Sequence, residues 1–275
     1  VITVDNLTHV YPDGTKALKG ITFNVRRREY IAIIGKNGSG KTTLVKHLVG
    51  LLKPTEGRVM VFGRDTRSLR ISELSTKIGY VYQNPDHQLF CQTVYEEIAY
   101  GLRNLGLPEE EVKRRVKKVA VKMSLDKRLN DHPFILSKGE RQRLAVAAVL
   151  AMEPEVIIVD EPTTGQDAYQ SKSIMRLLDE LNHEGKTIIV ITHNMRLVAE
   201  HARRVIVMDD GRIVLDGPVR QVFSNHDVLR RLGIISPQVT RLSAMLGLKF
   251  TALSVRELVE SMCPTIATAS TLGNT

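Results

Sequence analysis

Three short runs of apolar residues stand out along the chain, at residues 30–34, 156–159 and 187–191. Strands buried on both faces carry such near-continuous runs, whereas half-exposed strands alternate apolar with polar residues. Between the second and third runs, apolar residues recur with the spacing of one helical face. That face comprises Ile174, Leu177, Leu178 and Leu181. Alternating buried strands and helices predict an α/β fold with a mostly parallel, helix-covered sheet.

Further strands are predicted around these runs. Their composition favours β-structure at residues 1–10, 21–25, 58–62 and 78–82. Near residue 210 the pattern indicates a hairpin, because Asp210 and Gly211 form a typical turn between two further apolar runs. Those runs lie at residues 204–208 and 212–215.

Two helices can be placed from their first turns. Pro108 and the three glutamates after it open one helix, whose acidic start complements the helix dipole. Its apolar face comprises Val112, Val116, Val119, Ala120 and Met123. Ser137, followed three residues later by Glu140, fits a capping box, so a second helix should run from there to about residue 152.

The strongest chemical signal is the segment 35–42, which follows the first buried run and leads into helix-forming residues. Strand, glycine-rich loop and helix are the context of a phosphate-binding loop. Gly35, Gly38 and Gly40 let backbone N–H groups approach phosphate oxygens without a clashing Cβ, and the helix N-terminus adds its positive dipole end. We expect Lys41 to reach the β- and γ-phosphates and the Thr42 hydroxyl to ligate Mg²⁺. The alternative, a glycine turn joining a strand to a helix, is disfavoured by eight matching positions with correct flanks.

Polar residues follow three of the other predicted strands. Asp160 and Glu161 end a buried strand, and ligands bind at the carboxyl ends of strands in open α/β sheets. We expect Asp160 to hold the same Mg²⁺ and Glu161 to activate the attacking water, a role worth ~10²–10⁴ in rate. The Gln83 amide could contact Mg²⁺ or position water, and His193 could donate a hydrogen bond to the γ-phosphate. The alternative for Asp160 and Glu161 is a solvated acidic strand end. The alternative for Gln83 and His193 is that they are ordinary surface or structural residues.

Composition places the chain among globular proteins with a substantial core, with 43% hydrophobic and 25% charged residues. Cys91 and Cys263 lack metal-ligand spacing and suit a reducing compartment. No signal segment is visible from Val1 onward, and the longest apolar stretch, residues 144–152, is too short to cross a bilayer. We therefore expect that the chain does not span a membrane by itself.

The formal charge of +9 fits nucleic acid, an anionic membrane surface or merely the basic surroundings of a nucleotide site. Basic residues cluster at residues 26–28, 113–118 and 203–204. Apolar residues interrupt these clusters at strand or helix spacing, which favours the solvated faces of ordinary elements.

The character of the sequence changes after Gly217 and Pro218. Residues 228–232 and 255–262 favour short helices, and no strand of comparable quality follows. The last residues, 267–275, are small and polar and are expected to be loose. We expect residues 1–220 to form the main domain and residues 221–275 to form a small, mainly helical C-terminal extension.

Taken together, seven segments resemble the motifs of the ATP-binding cassette family in that family's order, over about residues 1–220. Residues 35–42 resemble the Walker A loop, Gln83 the Q-loop and residues 136–140 the signature. Residues 156–161 resemble Walker B, and Gly165, Gln166 and Asp167 resemble the D-loop. His193 matches the switch histidine, and Tyr11 matches the aromatic residue that stacks on adenine.

The signature departs from the family pattern at two positions. Lys138 stands where the family usually has a second glycine, and Glu140 stands where it often has glutamine. The Lys138 side chain could crowd a γ-phosphate or, through its charge, assist in holding it.

The resemblance implies a P-loop NTPase fold with a RecA-like parallel sheet core, an antiparallel β subdomain and a helical subdomain at about residues 85–152. It implies an ATPase that closes as a head-to-tail dimer, with each ATP between Walker A of one subunit and the signature of the other.

The ATP-binding residues that the resemblance implies are Tyr11, Gly35, Asn37, Gly38, Ser39, Gly40, Lys41, Thr42, Thr43, Ser137, Gly139 and Glu140. The Mg²⁺ ligands it implies are Thr42, Gln83 and Asp160, and the catalytic residues are Glu161, His193, Gln83 and Lys41. Ser137 and Gly139 lie at a helix start, which is a second anion-seeking N-terminus.

A more specific resemblance lies in residues 83–90 and 93–102, which are similar to the ATPase subunits of energy-coupling-factor transporters, including cobalt and nickel importers. This likeness implies uptake of a vitamin or of cobalt or nickel, a dimer with a copy or a paralogue, and an integral membrane subunit. It also implies a peripheral location on the cytoplasmic face of the cell membrane, with no nucleic acid partner. We expect Leu89, Phe90 and Val94 to form an exposed docking groove that Pro85 stiffens. The alternative is that Leu89 and Phe90 fill the core of the helical subdomain.

The main rival is a cassette ATPase that acts on nucleic acid or ribosomes, to which the basic charge lends weight. Chromosome-maintenance relatives place a long coiled coil between Walker A and the signature, whereas no heptad run intervenes here. Ribosome-acting relatives usually carry two cassettes, whereas these 275 residues hold one. A kinase with the same loop would need an acceptor site, and none can be identified.

Overall fold

The structure is a computed structural model that describes residues 1–164, 166 and 168–262. Cys263 and the predicted loose tail, residues 267–275, lie outside the described residues, as do Gly165 and Asp167 of the predicted D-loop. Within the described residues, no helix is both long enough and apolar enough to span a membrane.

The described residues form ten strands and eleven α-helices. The strands are β1 (Ile2–Val10), β2 (Lys16–Val25), β3 (Tyr30–Ile34), β4 (Glu56–Val61), β5 (Arg64–Asp65), β6 (Ile78–Val81), β7 (Val156–Asp160), β8 (Thr187–Ile191), β9 (Arg204–Asp209) and β10 (Arg212–Pro218). The helices are α1 (Lys41–Leu48), α2 (Ile71–Ser75), α3 (Val94–Asn104), α4 (Glu109–Lys122), α5 (Lys138–Ala151), α6 (Ala168–His183), α7 (Met195–His201), α8 (Val219–Ser224), α9 (His226–Arg231), α10 (Gln238–Met245) and α11 (Val255–Met262).

A six-stranded sheet in the order β10-β9-β3-β8-β7-β6 forms the centre of the molecule. The pairs β3–β8, β3–β9, β7–β8 and β6–β7 are parallel, and the edge strand β10 pairs antiparallel with β9. The predicted mostly parallel sheet and the predicted terminal hairpin are therefore confirmed. Because β3, β6, β7 and β8 run in one direction, their carboxyl ends meet at one edge.

A second, antiparallel sheet in the order β2-β1-β4-β5 lies beside the first. Its central strand β1 pairs with β2 and with β4, and Ile2 stands opposite both Val25 and Val61. The two sheets and their helices confirm the predicted fold class.

The core lies on both faces of the parallel sheet, and β3 shows why its sequence lacks alternation. Ala32 and Ile34 face one apolar cluster, whereas Ile31 and Ile33 face the other, and all are buried. Full burial of each of the three isoleucine side chains contributes ~1.5–3 kcal/mol. β3 is thus fixed between the two layers, and the loop that follows it starts from a rigid point.

The helices that flank the sheet follow the predicted patterns. The predicted apolar face of α4 is buried at all five positions. At the start of α5, Glu140 N–H donates to Ser137 Oγ at 3.3 Å and Ser137 N–H donates to Glu140 Oε2 at 2.9 Å. The predicted capping box is therefore confirmed, and it fixes the first turn of α5.

The predicted docking groove after the Q-loop was wrong for two of its three residues. Leu89 and Val94 are 4% and 0% exposed and belong to the main core, and Val94 is the first residue of α3, which packs against α5. The alternative, in which Leu89 and Phe90 both fill the core, was wrong for Phe90. That ring is 61% exposed and makes an edge-to-face contact with Tyr100 at 4.8 Å between centroids.

The described part of the C-terminal segment is mainly helical, as predicted, although α8 and α10 were not foreseen. Helix α8 crosses the predicted boundary at residue 220, and its Val222 and Phe223 lie in the main core. Leu229 and Ile234 join the same cluster. The division at residue 220 stays a prediction.

Candidate functional site

A cavity of about 700 Å³ opens at the carboxyl ends of β3, β6, β7 and β8. The structure brings most of the predicted site residues together in it, although they come from four separate parts of the chain. The predicted residues that line it are Gly35, Asn37, Gly38, Gly40, Lys41, Thr42, Thr43, Gln83, Asp160, Glu161 and His193.

The loop between β3 and α1 needs glycine at both of its ends. A Cβ on Gly35 would lie 2.2 Å from the Met208 carbonyl oxygen, a backbone atom that cannot move aside. Gly40, the N-cap of α1, has φ +98°, which side-chain-bearing residues rarely adopt. The loop therefore passes tightly over the sheet and turns directly into the helix, so that the helix N-terminus points into the cavity.

Lys41 closes this loop from inside. Its Nζ donates hydrogen bonds of 2.8 Å to the carbonyl oxygens of Gly35 and Lys36 and lies 3.4 Å from the hydroxyl of the buried Ser39. Burial lowers the pKa of Lys41, whereas the carboxylates of Glu161 and Asp160 raise it. The ammonium group is therefore held between the loop and the two acids.

Asp160 is a buried carboxylate with one defined partner, because the Tyr80 hydroxyl donates to its Oδ2 at 3.1 Å. Burial raises the pKa of Asp160, whereas the hydrogen bond from Tyr80 lowers it. Asp160, Thr42 and Gln83, whose side chains carry a carboxylate, a hydroxyl and an amide oxygen, line the same cavity. Oxygen donors of this kind suit Mg²⁺, so this set fits the ion that the sequence analysis expected.

Glu161 and His193 form the second polar pair of the cavity. His193 Nδ1 donates to Glu161 Oε1 at 2.8 Å, and the Thr164 hydroxyl lies 3.4 Å from Oε2. Glu161 has φ +47°, and its N–H donates to the Ile191 carbonyl at 2.8 Å. A glutamate held in the left-handed region is strained, and such strain is concentrated at functional sites.

Tyr11 does not line the cavity, although the resemblance assigns it to the base of the nucleotide. Its hydroxyl lies 3.1 Å from Thr43 Oγ1, and its ring stands edge-on to His9 at 4.6 Å. Tyr11 therefore lies behind the cavity wall and contacts it through Thr43, in the first turn of α1.

A pair of buried histidines behind α1 was missed by the sequence reasoning. The His47 side chain is fully buried, with Nδ1 2.8 Å from the Thr43 carbonyl and Nε2 3.1 Å from His9 Nδ1. The carbonyl can only accept, so Nδ1 carries the proton of neutral His47, and Nε2 then accepts from His9. Burial lowers the pKa of His47, and the neighbouring His9 acts in the same direction. No local pattern marks this pair, because its members are 38 positions apart.

The signature residues Ser137, Gly139 and Glu140 are not among the described residues that line the cavity. Gly139 is buried, and a Cβ there would lie 2.0 Å from the Gln170 side-chain oxygen, whereas Lys138 is exposed. The signature therefore lies apart from the described lining of this cavity, with Ser137 and Lys138 exposed.

The C-terminal segment supplies part of the cavity wall, which the sequence reasoning also missed. Gly233, Ile234 and Ile235 line it together with Lys36. A Cβ on Gly233 would lie 2.7 Å from Lys36 Cε, so this segment packs directly against the glycine-rich loop. The predicted extension is therefore in contact with the site, and no sequence motif signals that contact.

Comparisons with known proteins agree with this geometry. Residues 18–164, just over half of the chain, match the family described as ABC transporter. An energy-coupling factor transporter ATP-binding protein of Methanocaldococcus jannaschii is 43% identical over 253 residues, which cover 90% of each chain. The solved structure of cbiO1 from Clostridium perfringens, described as part of the ABC transporter complex cbiONQ, has a TM-score of 0.77 and 38% identity. The match covers 90% of this chain and 99% of that one.

Some relatives are considerably longer than this chain. A protein of Caldanaerobacter subterraneus is 50% identical over 259 residues, which cover 94% of this chain but 45% of that protein. The chain thus spans less than half of the length of the first relatives that it matches.

Proposed function

Because this chain belongs to the ABC transporter family, we propose that it is the ATP-binding and ATP-hydrolysing subunit of an importer. One observation carries the proposal. Lys41, Asp160 and the Glu161–His193 pair line a single cavity at the mouth of a glycine-rich loop. A triphosphate needs a loop for its phosphates, an acid for its metal and a base for the attacking water, and this cavity holds all three.

In this proposal each residue has a stated task. Backbone N–H groups of residues 35–42 and the Lys41 ammonium hold the β- and γ-phosphates, and Thr42, Gln83 and Asp160 would hold Mg²⁺. When bound, that ion neutralises charge that develops on the phosphates. Glu161 orients the attacking water and accepts its proton, and His193 fixes the carboxylate through the 2.8 Å hydrogen bond.

We assign the remaining ATP contacts to two groups of residues, one near this chain's own cavity and one in the signature. Tyr11 contacts the base after a shift of its ring, and Ser39 and Thr43 support the loop. Ser137, Gly139 and Glu140 contact the ATP that a second subunit holds, since they lie outside this chain's own cavity. The ATP-bound pair, of two copies or two paralogues, closes because the γ-phosphate joins both surfaces, and hydrolysis releases it.

We further propose that the importer is of the energy-coupling-factor class and carries a vitamin, cobalt or nickel. The similarity to an energy-coupling factor ATP-binding protein and to cbiO1 supports this class. The chain then acts at the cytoplasmic face of the membrane, docked to an integral membrane subunit through the exposed region around Phe90 and Tyr100. Nucleic acid is not an expected partner.

The test is capture of the tagged chain from detergent-solubilised membranes of its own organism. We expect integral membrane proteins to co-purify, and the isolated complex to hydrolyse ATP only with magnesium. The Glu161→Gln variant is the matched control for background hydrolysis. Capture of DNA or RNA that is lost as salt rises from about 50 to about 200 mM, with no membrane protein, would contradict the proposal.

A further inference from the structure

A second cavity, of about 540 Å³, lies in the C-terminal segment between α9, α10 and the residues that join them. Its volume is within the range of small-molecule sites. It shares Gly233, Ile234 and Ile235 with the nucleotide cavity. The two cavities therefore meet at one wall of three residues.

The charged lining of this second cavity favours an anion. Arg230 and Arg241 line it, opposed by the single carboxylate of Asp227. Arg230 pairs with Asp227 at 3.2 Å, but both side chains are more than three-quarters exposed, so the pair is weak. Arg241 forms no ion pair with any described residue. Guanidinium groups bind carboxylates and phosphates through two parallel hydrogen bonds, and they supply the attraction here.

His226 and Ser236 are the other polar residues of the lining, and the remaining side chains are apolar. Ala244 and Met245 contribute from α10, and Ile234 and Ile235 contribute from the shared wall. Met245 and Ile235 are 82% and 70% exposed, which leaves their side chains available to an apolar body. Methionine adapts to ligands of different shape, because its side chain is unbranched and polarizable.

The shared wall is also in contact with the glycine-rich loop. Gly233 has φ +65°, and its α-carbon lies against the Lys36 side chain. A ligand that moves residues 233–235 must therefore also move Lys36 or open a gap beside it. In a close-packed structure such a shift is transmitted to the residues next to it, here the phosphate loop.

We propose that the second cavity binds a small organic anion, with its carboxylate or phosphate at Arg241 and Arg230 and its short apolar body against Met245 and Ala244. Its occupancy changes the affinity of the neighbouring cavity for ATP through residues 233–235. The coupling rests on the proposed ATPase function, whereas the binding of the anion does not.

The binding is tested by calorimetric titration of the full chain with octanoate and with octyl phosphate. We expect saturable binding of at least one of them to a single site. Octanol and inorganic phosphate, which each lack one half of the proposed ligand, should bind at least tenfold more weakly. Absence of saturable binding by both amphiphiles overturns the proposal.

Variants locate the site. Arg241→Glu should weaken binding at least tenfold, and Ala244→Trp should abolish it by filling the cavity from an exposed position. Arg231→Glu is the matched control, because Arg231 is exposed on α9 but does not line the cavity, and it should change binding less than twofold. Equal losses in Arg241→Glu and Arg231→Glu would show a general charge effect and overturn the site.

The coupling is measured as the Kd for ATP with and without the saturating amphiphile. We expect a change of at least threefold, and ATP must change the Kd for the amphiphile by the same factor. Unchanged ATP affinity beside normal amphiphile binding overturns the coupling alone. A chain that binds the amphiphile but never ATP contradicts the proposed function and leaves the anion site standing.

Discussion

His193 Nδ1 lies 2.8 Å from Glu161 Oε1 and so joins the residues that follow two neighbouring strands, β7 and β8. The carboxylate side chain is 11% exposed, whereas the imidazole side chain is 72% exposed. Glu161 is therefore the sheltered member of the pair, and His193 is the member free to follow an incoming phosphate. Because Nδ1 donates to the carboxylate, Nε2 can donate to a phosphate only when both ring nitrogens carry protons.

Replacement of Glu161 by glutamine should stop hydrolysis without loss of ATP binding. We expect kcat to fall by ~10²–10⁴, because the amide keeps the shape of the side chain but cannot accept a proton. The ATP-bound dimer should then accumulate in size-exclusion chromatography with magnesium and ATP. Glu56→Gln, at an exposed position at the start of β4, is the control and should behave as the parent chain. A Glu161→Gln variant that remains monomeric with ATP would contradict the closure scheme.

Gly35 and Gly38 should differ in their tolerance of alanine. Gly35→Ala forces a Cβ against the Met208 carbonyl oxygen and should lower the free energy of unfolding by about 3 kcal/mol. Gly38 has φ +78°, and no described heavy atom lies within 4 Å of the place that its Cβ would take, so Gly38→Ala should cost only ~1–2 kcal/mol. Urea denaturation of the nucleotide-free chain measures both values. Equal losses would show that the contact with Met208 does not constrain the loop.

The hydrogen bond from Tyr80 should matter for the metal more than for the nucleotide. Tyr80→Phe removes the donor that orients the Asp160 carboxylate. We expect the Mg²⁺ concentration for half-maximal ATPase activity to rise about tenfold, or ~1.4 kcal/mol, near the lower end for a hydrogen bond to a charged group. Binding of ATP without Mg²⁺ should change less than twofold. Tyr82→Phe is the control, since its ring lies tilted beside that of Tyr80, 4.6 Å between centroids, and no described acid accepts from its hydroxyl. A similar Mg²⁺ shift in both variants would argue against the role of Tyr80.

The buried His47 should make folding stability depend on pH. Its pKa in the folded chain lies below the ordinary value near 6.5, so the unfolded chain binds the proton first as pH falls. The contribution of neutral His47 to the free energy of unfolding is complete above about pH 6.5. It is lost progressively as pH falls from there to the pKa of His47 in the folded chain. Over that range the free energy of unfolding falls by at most ~1.4 kcal/mol per pH unit because of this group.

The comparison is made between His47→Gln and His183→Gln by urea denaturation from pH 8 to pH 5. His47→Gln should be less stable than the parent chain at pH 8 but should show a shallower decline toward pH 5. His183 is exposed, so its variant should keep the parental slope. An unchanged slope in His47→Gln would refute the assignment.

Much of this fold follows from local sequence patterns. The strands β3 and β8 and the helix α11 begin and end at the predicted residues, because each carries an uninterrupted apolar run or a clear helical face. The capping box of α5 was predicted for the same reason, since Ser137 and Glu140 are three residues apart. Features set within one element are visible in its own sequence.

Features that depend on pairing between distant segments were not predictable. The contact of His9 with His47 depends on how β1 lies beside α1, and the contact of Gly233 with Lys36 depends on the path of the chain after α9. Leu89 and Phe90 are adjacent and both apolar, yet Leu89 is buried in the main core and Phe90 is exposed beside Tyr100, because the direction of each side chain is set by how this segment packs on the rest of the chain. Composition alone does not distinguish them.

Phe223 limits how this protein can be recombined with its relatives. Its side chain is 0% exposed and belongs to the same apolar cluster as β9, although it follows the point at which the sequence changes character. A chimera joined at residue 220 would bring a foreign helix into that cluster and would have to match the shape of a phenylalanine there. A junction placed after Ile234 would keep Phe223, Leu229 and Ile234 together in that cluster, so a domain exchange in this chain is best designed beyond that residue.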